Sequence, residues 1–153
     1  MKFVRLCTKR QRAARGDVFI FQLHSMPGIY FFGKVISVDS KIGFRDMSVL
    51  MVYIYRATSS SKEAIPCLSK EELLVAPIGT NNVPFTRGYF EILRSDALGR
   101  EDVLAQHCFF NPATKQYFDE MGQQLEAAVE PIGIDGLSGL ESIAHKVITS
   151  SSL

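Results

Sequence analysis

The sequence predicts an α+β fold: a mostly antiparallel twisted β-sheet, or a small partly open barrel, with a C-terminal helix packed on it. Three observations point there. Residues 16–56 are rich in aromatic and β-branched residues and are broken by turn signals. The apolar runs Val18–Phe21 and Val49–Tyr55 are strand-sized. Leu140, Ile143, Ala144, Val147 and Ile148 recur at the spacing of one helix face. The chain has 153 residues, 46% hydrophobic and 22% charged, which suits a single domain over 1–153 with a packed core. That composition excludes disorder along the whole chain, and no run approaches the ~18 apolar residues of a membrane-spanning helix.

The elements follow in order. Residues 1–15 form a basic arm: Lys2, Arg5, Lys9, Arg10, Arg12 and Arg15, with no acid among them. Like-charge runs are usually solvated, so the arm reads as a solubilising or frayed terminus, with an RNA contact as the sharper alternative. Val18–Leu23 is the first strand. Pro27-Gly28 suits a type II turn, because proline presets the first corner and glycine accepts positive φ at the second. Ile29–Val38 returns as a second strand, with a bend or bulge expected at Gly33. Ser48–Arg56 is a third, with Leu50, Val52 and Ile54 on one face and Val49, Met51, Tyr53 and Tyr55 on the other. Thr58–Lys62 is a loop. Ser69-Lys70-Glu71-Glu72 has capping-box spacing and leaves a helical turn or a strand open at Leu73–Val75. Gly88–Arg94 and Val103–Phe110 read as further strands, and Gln116–Leu125 as a hairpin turning at Glu120–Gly122. Ser138-Gly139-Leu140-Glu141 is a second capping box, opening the last helix.

The side chains offer little catalytic chemistry. Cys7, Cys67 and Cys108 are odd in number and widely spaced, which argues against a disulfide framework. No signal-peptide pattern opens the sequence, so a cytosolic chain with reduced thiols is expected. The histidines are His24, His107 and His145. His107 and Cys108 are neighbours, but adjacent strand residues face opposite ways and do not share a metal. No Cys-x-x-Cys, His-Glu-x-x-His or phosphate-binding glycine loop is present. Neither enzyme activity nor a cofactor nor a metal is expected. The aromatic residues Phe19, Phe21, Tyr30, Phe31 and Phe32 are read as core; exposed, they would form a base-stacking sheet.

Three ordered segments resemble a known family. Gly16-Asp17-Val18-Phe19-Ile20 and Tyr30-Phe31-Phe32-Gly33-Lys34-Val35 look like its opening hairpin. Asn82-Val83-Pro84-Phe85-Thr86-Arg87-Gly88-Tyr89-Phe90 is similar to its midchain motif. Tyr117–Gly122 and Glu130–Leu137 lead into the last helix in the same order. The set resembles bacterial immunity protein family 26 over roughly residues 15–149, with Phe85 where the family pattern has a Trp and Asp135 where it has an aromatic residue.

The resemblance implies a cytoplasmic antidote without catalytic residues, which protects a bacterium by stoichiometric binding to a toxin delivered by neighbouring cells, frequently a nuclease and often by contact-dependent inhibition. The expected partner is that cognate toxin domain, with neither a membrane nor nucleic acid bound directly. Nucleases hold a polyanion and tend to be basic, so an acidic patch would complement one. From Asp119 onward six acids face the single base Lys146. The expected toxin-binding residues are Asp119, Glu120, Glu126, Glu130 and Asp135, with Tyr89 or Tyr117 as aromatic anchors. The alternatives from other classes are a small RNA-binding module, using the basic arm and an aromatic sheet, and a small hydrolase using His107 or His24.

Overall fold

A computed structural model describes residues 1–151. The apolar runs become the centre of a five-stranded sheet. β1 (Asp17–Phe21) is buried along its whole length, and β2 (Tyr30–Ser40) and β3 (Val49–Ser59) continue the meander. β4 (Ile78–Thr80) follows, then a single-turn helix α1 (Val83–Thr86) and β5 (Glu91–Ser95). The spatial order is β4-β3-β2-β1-β5, every pair antiparallel.

A second sheet uses β6 (Cys108–Asn111), β7 (Gln116–Phe118), β8 (Gln124–Leu125) and β9 (Ile132–Ile134) in the order β8-β7-β6-β9. β9 runs parallel to β6; the other pairs are antiparallel. A single bridge from Gly79 to Leu137 links the two sheets. Neither closes on itself, so the alternatives resolve to open sheets and not a barrel.

The two faces of β3 divide as its alternation predicts. Leu50, Val52 and Ile54 join Phe19, Phe21, Phe31, Phe85 and Phe90 in one core cluster, which α2 (Leu140–Ser151) completes with Ile143, Ala144 and Val147. Val49, Met51, Tyr53 and Tyr55 form the other with Phe109, covered by Leu98, Val103 and Leu104. Burial on both faces explains why β3 reads as an unbroken apolar run. Gly33 permits the closest approach in the sheet. A Cβ there would collide with the Phe19 ring and lie 2.7 Å from the Tyr53 carbonyl, and the β2–β3 register shifts beside it.

Several expectations are corrected. The basic arm is not a frayed terminus. Phe3 is 1% exposed and stacks edge-on against Phe21 and Phe90, and its backbone bridges to Leu23. Leu6 and Cys7 N–H donate to the Gly88 carbonyl, and Gln11 bonds the backbone of Phe85, Phe90 and Ile92. The six bases remain exposed on this anchored segment. The strand expected over Val103–Phe110 is confined to Cys108–Asn111, and the one at Gly88–Arg94 starts later, at Glu91. Ser69–Glu72 is a tight turn, in which Ser69 Oγ donates to the Glu71 carboxylate. At the start of α2, Ser138 Oγ accepts from Lys146 Nζ in place of the expected reciprocal cap. The aromatic sheet lies inside: Phe19, Phe21 and Phe32 are fully buried and Phe31 is 2% exposed, so those rings present no stacking face.

Candidate interaction surface

Three loops meet where the second sheet touches the β2–β3 connection. The first is residues 41–48, the second the β7–β8 tip at 119–123, and the third residues 134–137, the end of β9 and the turn that follows. Gly43, with φ at +75°, lets the first loop lie directly on the Gly136 backbone. Lys41 N–H donates to the Glu120 carbonyl at 2.6 Å.

Asp135 is the hub. Its side chain is 1% exposed, and its carboxylate accepts from Gly43 N–H at 2.8 Å, Asn111 Nδ2 at 3.1 Å and Arg45 Nη2 at 2.9 Å. Arg45 also donates to the Lys41 carbonyl and lies 4.5 Å over the Phe118 ring. Burial pushes the Asp135 carboxyl upward, but the Arg45, Gly43 and Asn111 donors outweigh it and hold it below its usual value.

Around this hub large apolar side chains face solvent. Phe44 and Met47 come from the first loop, Met121 from the second, and Ile134 and Leu137 from the third, with exposures from 39% at Phe44 to 51% at Met121. Loops that are pinned by buried hydrogen bonds and still expose such side chains are the pattern of a binding face. Loop composition hid it from sequence reasoning. The signal was Phe44 and Met47 beside charged residues in a short connection between two strands.

The acids expected to bind a partner are placed unequally. Asp119 Oδ1 accepts from Met121 and Gln123 N–H and so builds the tip. Glu120 pairs with His107, whose ring sits between it and Tyr53 Oη at 2.6 Å from Nε2. Tyr53 Oη accepts from Leu104 N–H at 3.0 Å. An ionised Glu120 takes its hydrogen bond from Nδ1–H, and Nε2 shares the second hydrogen bond with the Tyr53 hydroxyl. Burial pushes the Tyr53 hydroxyl up to about 12, so it stays a donor. Glu126 and Glu130 are fully solvent-facing on the loop before β9. Tyr117 lies partly exposed against Phe110, near the tip. Tyr89 is elsewhere, packed on Phe3 beside the arm. The structure therefore brings Asp119 and Glu120 together at the tip and Asp135 beneath the loops, turns Tyr117 to the sheet face opposite Phe118, leaves Glu126 and Glu130 on the adjoining loop, and separates Tyr89.

The family model described as immunity protein 26 matches residues 14–119, more than two thirds of the chain. The chain belongs to the immunity protein 26 family. Neither a curated protein nor a solved structure matches it. An immunity protein has a cognate toxin as its partner, and neutralising that toxin is the role that membership supports. The match is shorter than the expected span of 15–149 and ends at Asp119, at the edge of the tip. Phe85, inside the matched span, and Asp135, beyond it, each have a clear place in the structure of this immunity protein. Phe85 is fully buried, packed edge-on against Phe19 and Phe90. Asp135 holds Arg45, which itself covers Phe118. Among the described residues, no helix of the immunity protein is long and apolar enough to cross a membrane.

Proposed function

We propose that this immunity protein neutralises a nuclease toxin delivered by neighbouring cells, in the cytoplasm, by occupying its active site or substrate path one-to-one. Contact-dependent growth inhibition is the delivery route that fits such a system. The observation that carries the reading is the pinned set of Phe44, Met47, Met121, Ile134 and Leu137, with the exposed Glu126 and Glu130 on the adjoining loop. Apolar side chains at the centre of an interface supply most of its energy, and charge at the rim supplies steering. A nuclease offers the opposite rim charge, because it must hold phosphates. Asp119, Glu120, Glu126 and Glu130 contribute the acidic rim, Asp135 fixes the loops from beneath, and Tyr117 adds an aromatic edge. Tyr89 would belong to a second contact beside the arm.

The test is co-expression with the toxin domain encoded beside the gene, followed by purification of the complex and a nuclease assay. A stable one-to-one complex without cleavage of DNA or RNA is expected. A complex that still cleaves its substrate at the full rate would refute occlusion.

A further inference from the structure

Lys146, at a cleft that shares Ile134 with the pinned face, has no counter-charge among the described residues. Lys146 lies on α2, partly buried, and its ammonium donates to Ser138 Oγ at 2.8 Å. Ser138 is itself fixed by β4. Its N–H donates to the Gly79 carbonyl at 2.8 Å, and its carbonyl accepts from Thr80 Oγ1 at 2.7 Å. Among the described residues, no carboxylate comes within 4.0 Å of Lys146 Nζ. The burial is felt, since it holds the ammonium below the usual lysine range.

Lys146 lines a cleft of about 390 Å³. One wall is residues 74–77, Leu-Val-Ala-Pro; the second is β9, with Ile132 and Ile134; the third is α2, with His145, Thr149 and Ser150 beside Lys146. That volume lies in the range of small-ligand sites, and a mostly apolar lining with a few convergent polar groups is their usual composition. No acid lines the cleft among the described residues. A half-buried ammonium whose hydrogen-bond partner is a neutral hydroxyl is only partly compensated. A carboxylate would compensate it with a charge-assisted hydrogen bond, and an attached hydrocarbon would cover the walls.

We propose that the cleft between residues 74–77, β9 and α2 binds a carboxylate carrying a short apolar tail, with Lys146 as its anchor. The proposal does not rest on the toxin reading, and the two sites share Ile134 alone. The ligand is either a free short-chain acid or the C-terminal residue of a peptide, since both present the same chemistry. Isotope-labelled full-length chain is titrated with sodium hexanoate, hexanamide and N-acetyl-alanyl-leucine, and followed by NMR. Hexanoate or the peptide should give saturable shifts confined to Ile132, Ile134, His145, Lys146 and Thr149. Hexanamide, which keeps the tail and loses the charge, should bind about tenfold more weakly or less. Lys146→Met should weaken the acid by a similar factor and leave hexanamide unchanged. Saturating acid should raise the Lys146 titration midpoint, read at its side-chain carbons. Tighter binding of the peptide identifies a partner's chain terminus as the ligand; tighter binding of hexanoate identifies a free acid. Equal affinity for acid and amide, unlocalised shifts, or unchanged hexanoate binding by Lys146→Met would overturn the proposal.

Discussion

Glu120 gives up its proton more readily than an ordinary carboxylic acid, because His107 hydrogen-bonds the ionised form more strongly than burial opposes it. Asp135 reaches the same state by a different balance: burial opposes ionisation, and three donors overcome it. A carboxyl whose folded value is depressed adds stability that is complete above its unfolded value and drains away as pH falls through the folded one. The ordinary values here are 4.5 and 3.8. Denaturant-unfolding stability should therefore hold level above about pH 5 and fall below about pH 4.5. Glu120→Gln with Asp135→Asn should lower the plateau and flatten that acid limb; an unchanged limb would mean that other groups produce it. Arg45→Met removes one of three donors from a carboxylate that is 1% exposed, while Gly43 and Asn111 remain. The expected cost is about 2 kcal/mol, below the ~3–5 kcal/mol of stripping a buried charge completely. Unfolding midpoints in urea would measure it.

The arm shows how an element can be misread when charge dominates its composition. Six bases in fifteen residues hide Phe3 and Ala13, which are buried, and Gln11, which bonds the backbone at three points. Phe3→Ala opens a cavity among Phe21, Tyr89 and Phe90 and should cost about 3–4 kcal/mol. Gly88→Ala should release the arm by another route, because a Cβ there collides with the Cys7 carbonyl and φ is +79°. Hydrogen exchange at Leu6 and Cys7, whose amides bond Gly88, should then accelerate; unchanged protection would show that the arm is held elsewhere. Deleting residues 1–15 is consequently a test of folding. The arm's charge is tested only by neutralising its bases in place. Other elements were readable because their signal is local. The alternation of β3, the stripe of α2 and the turn at the β7–β8 tip each depend on neighbours in sequence. β9 was missed because three residues pair in parallel with β6, more than twenty positions earlier, and leave no periodic trace. The proposed interaction face was half legible. Its acids announced themselves by number, while the buried role of Asp135 and the partnership with Arg45 depend on a loop ninety residues away.

Across the whole molecule the charges separate although the net charge is only +1. Six of the 17 bases lie in the arm, which has no acid, and six of the 16 acids lie from Asp119 onward, against the single base Lys146. Encounter with a partner is governed by the local field, since charges beyond about 10 Å are screened near physiological salt. Rim charge and apolar centre should then separate kinetically. Glu126 and Glu130 are the clean probes of the rim: both are exposed, whereas Asp119 builds the tip and Glu120 holds His107. Glu126→Lys with Glu130→Lys should slow association with the toxin by about tenfold at low salt, and the difference should vanish by about 0.5 M salt. Phe44→Asp or Met121→Asp should act mainly on dissociation, costing about 2 kcal/mol or more with little salt dependence. Stopped-flow association and surface-capture dissociation read the two separately. If both charge reversals left association untouched while the apolar variants still shortened the complex's lifetime, the face would stand and the acidic rim would not. If neither class mattered, the toxin would bind another surface, and the arm beside Tyr89 would be the next to examine.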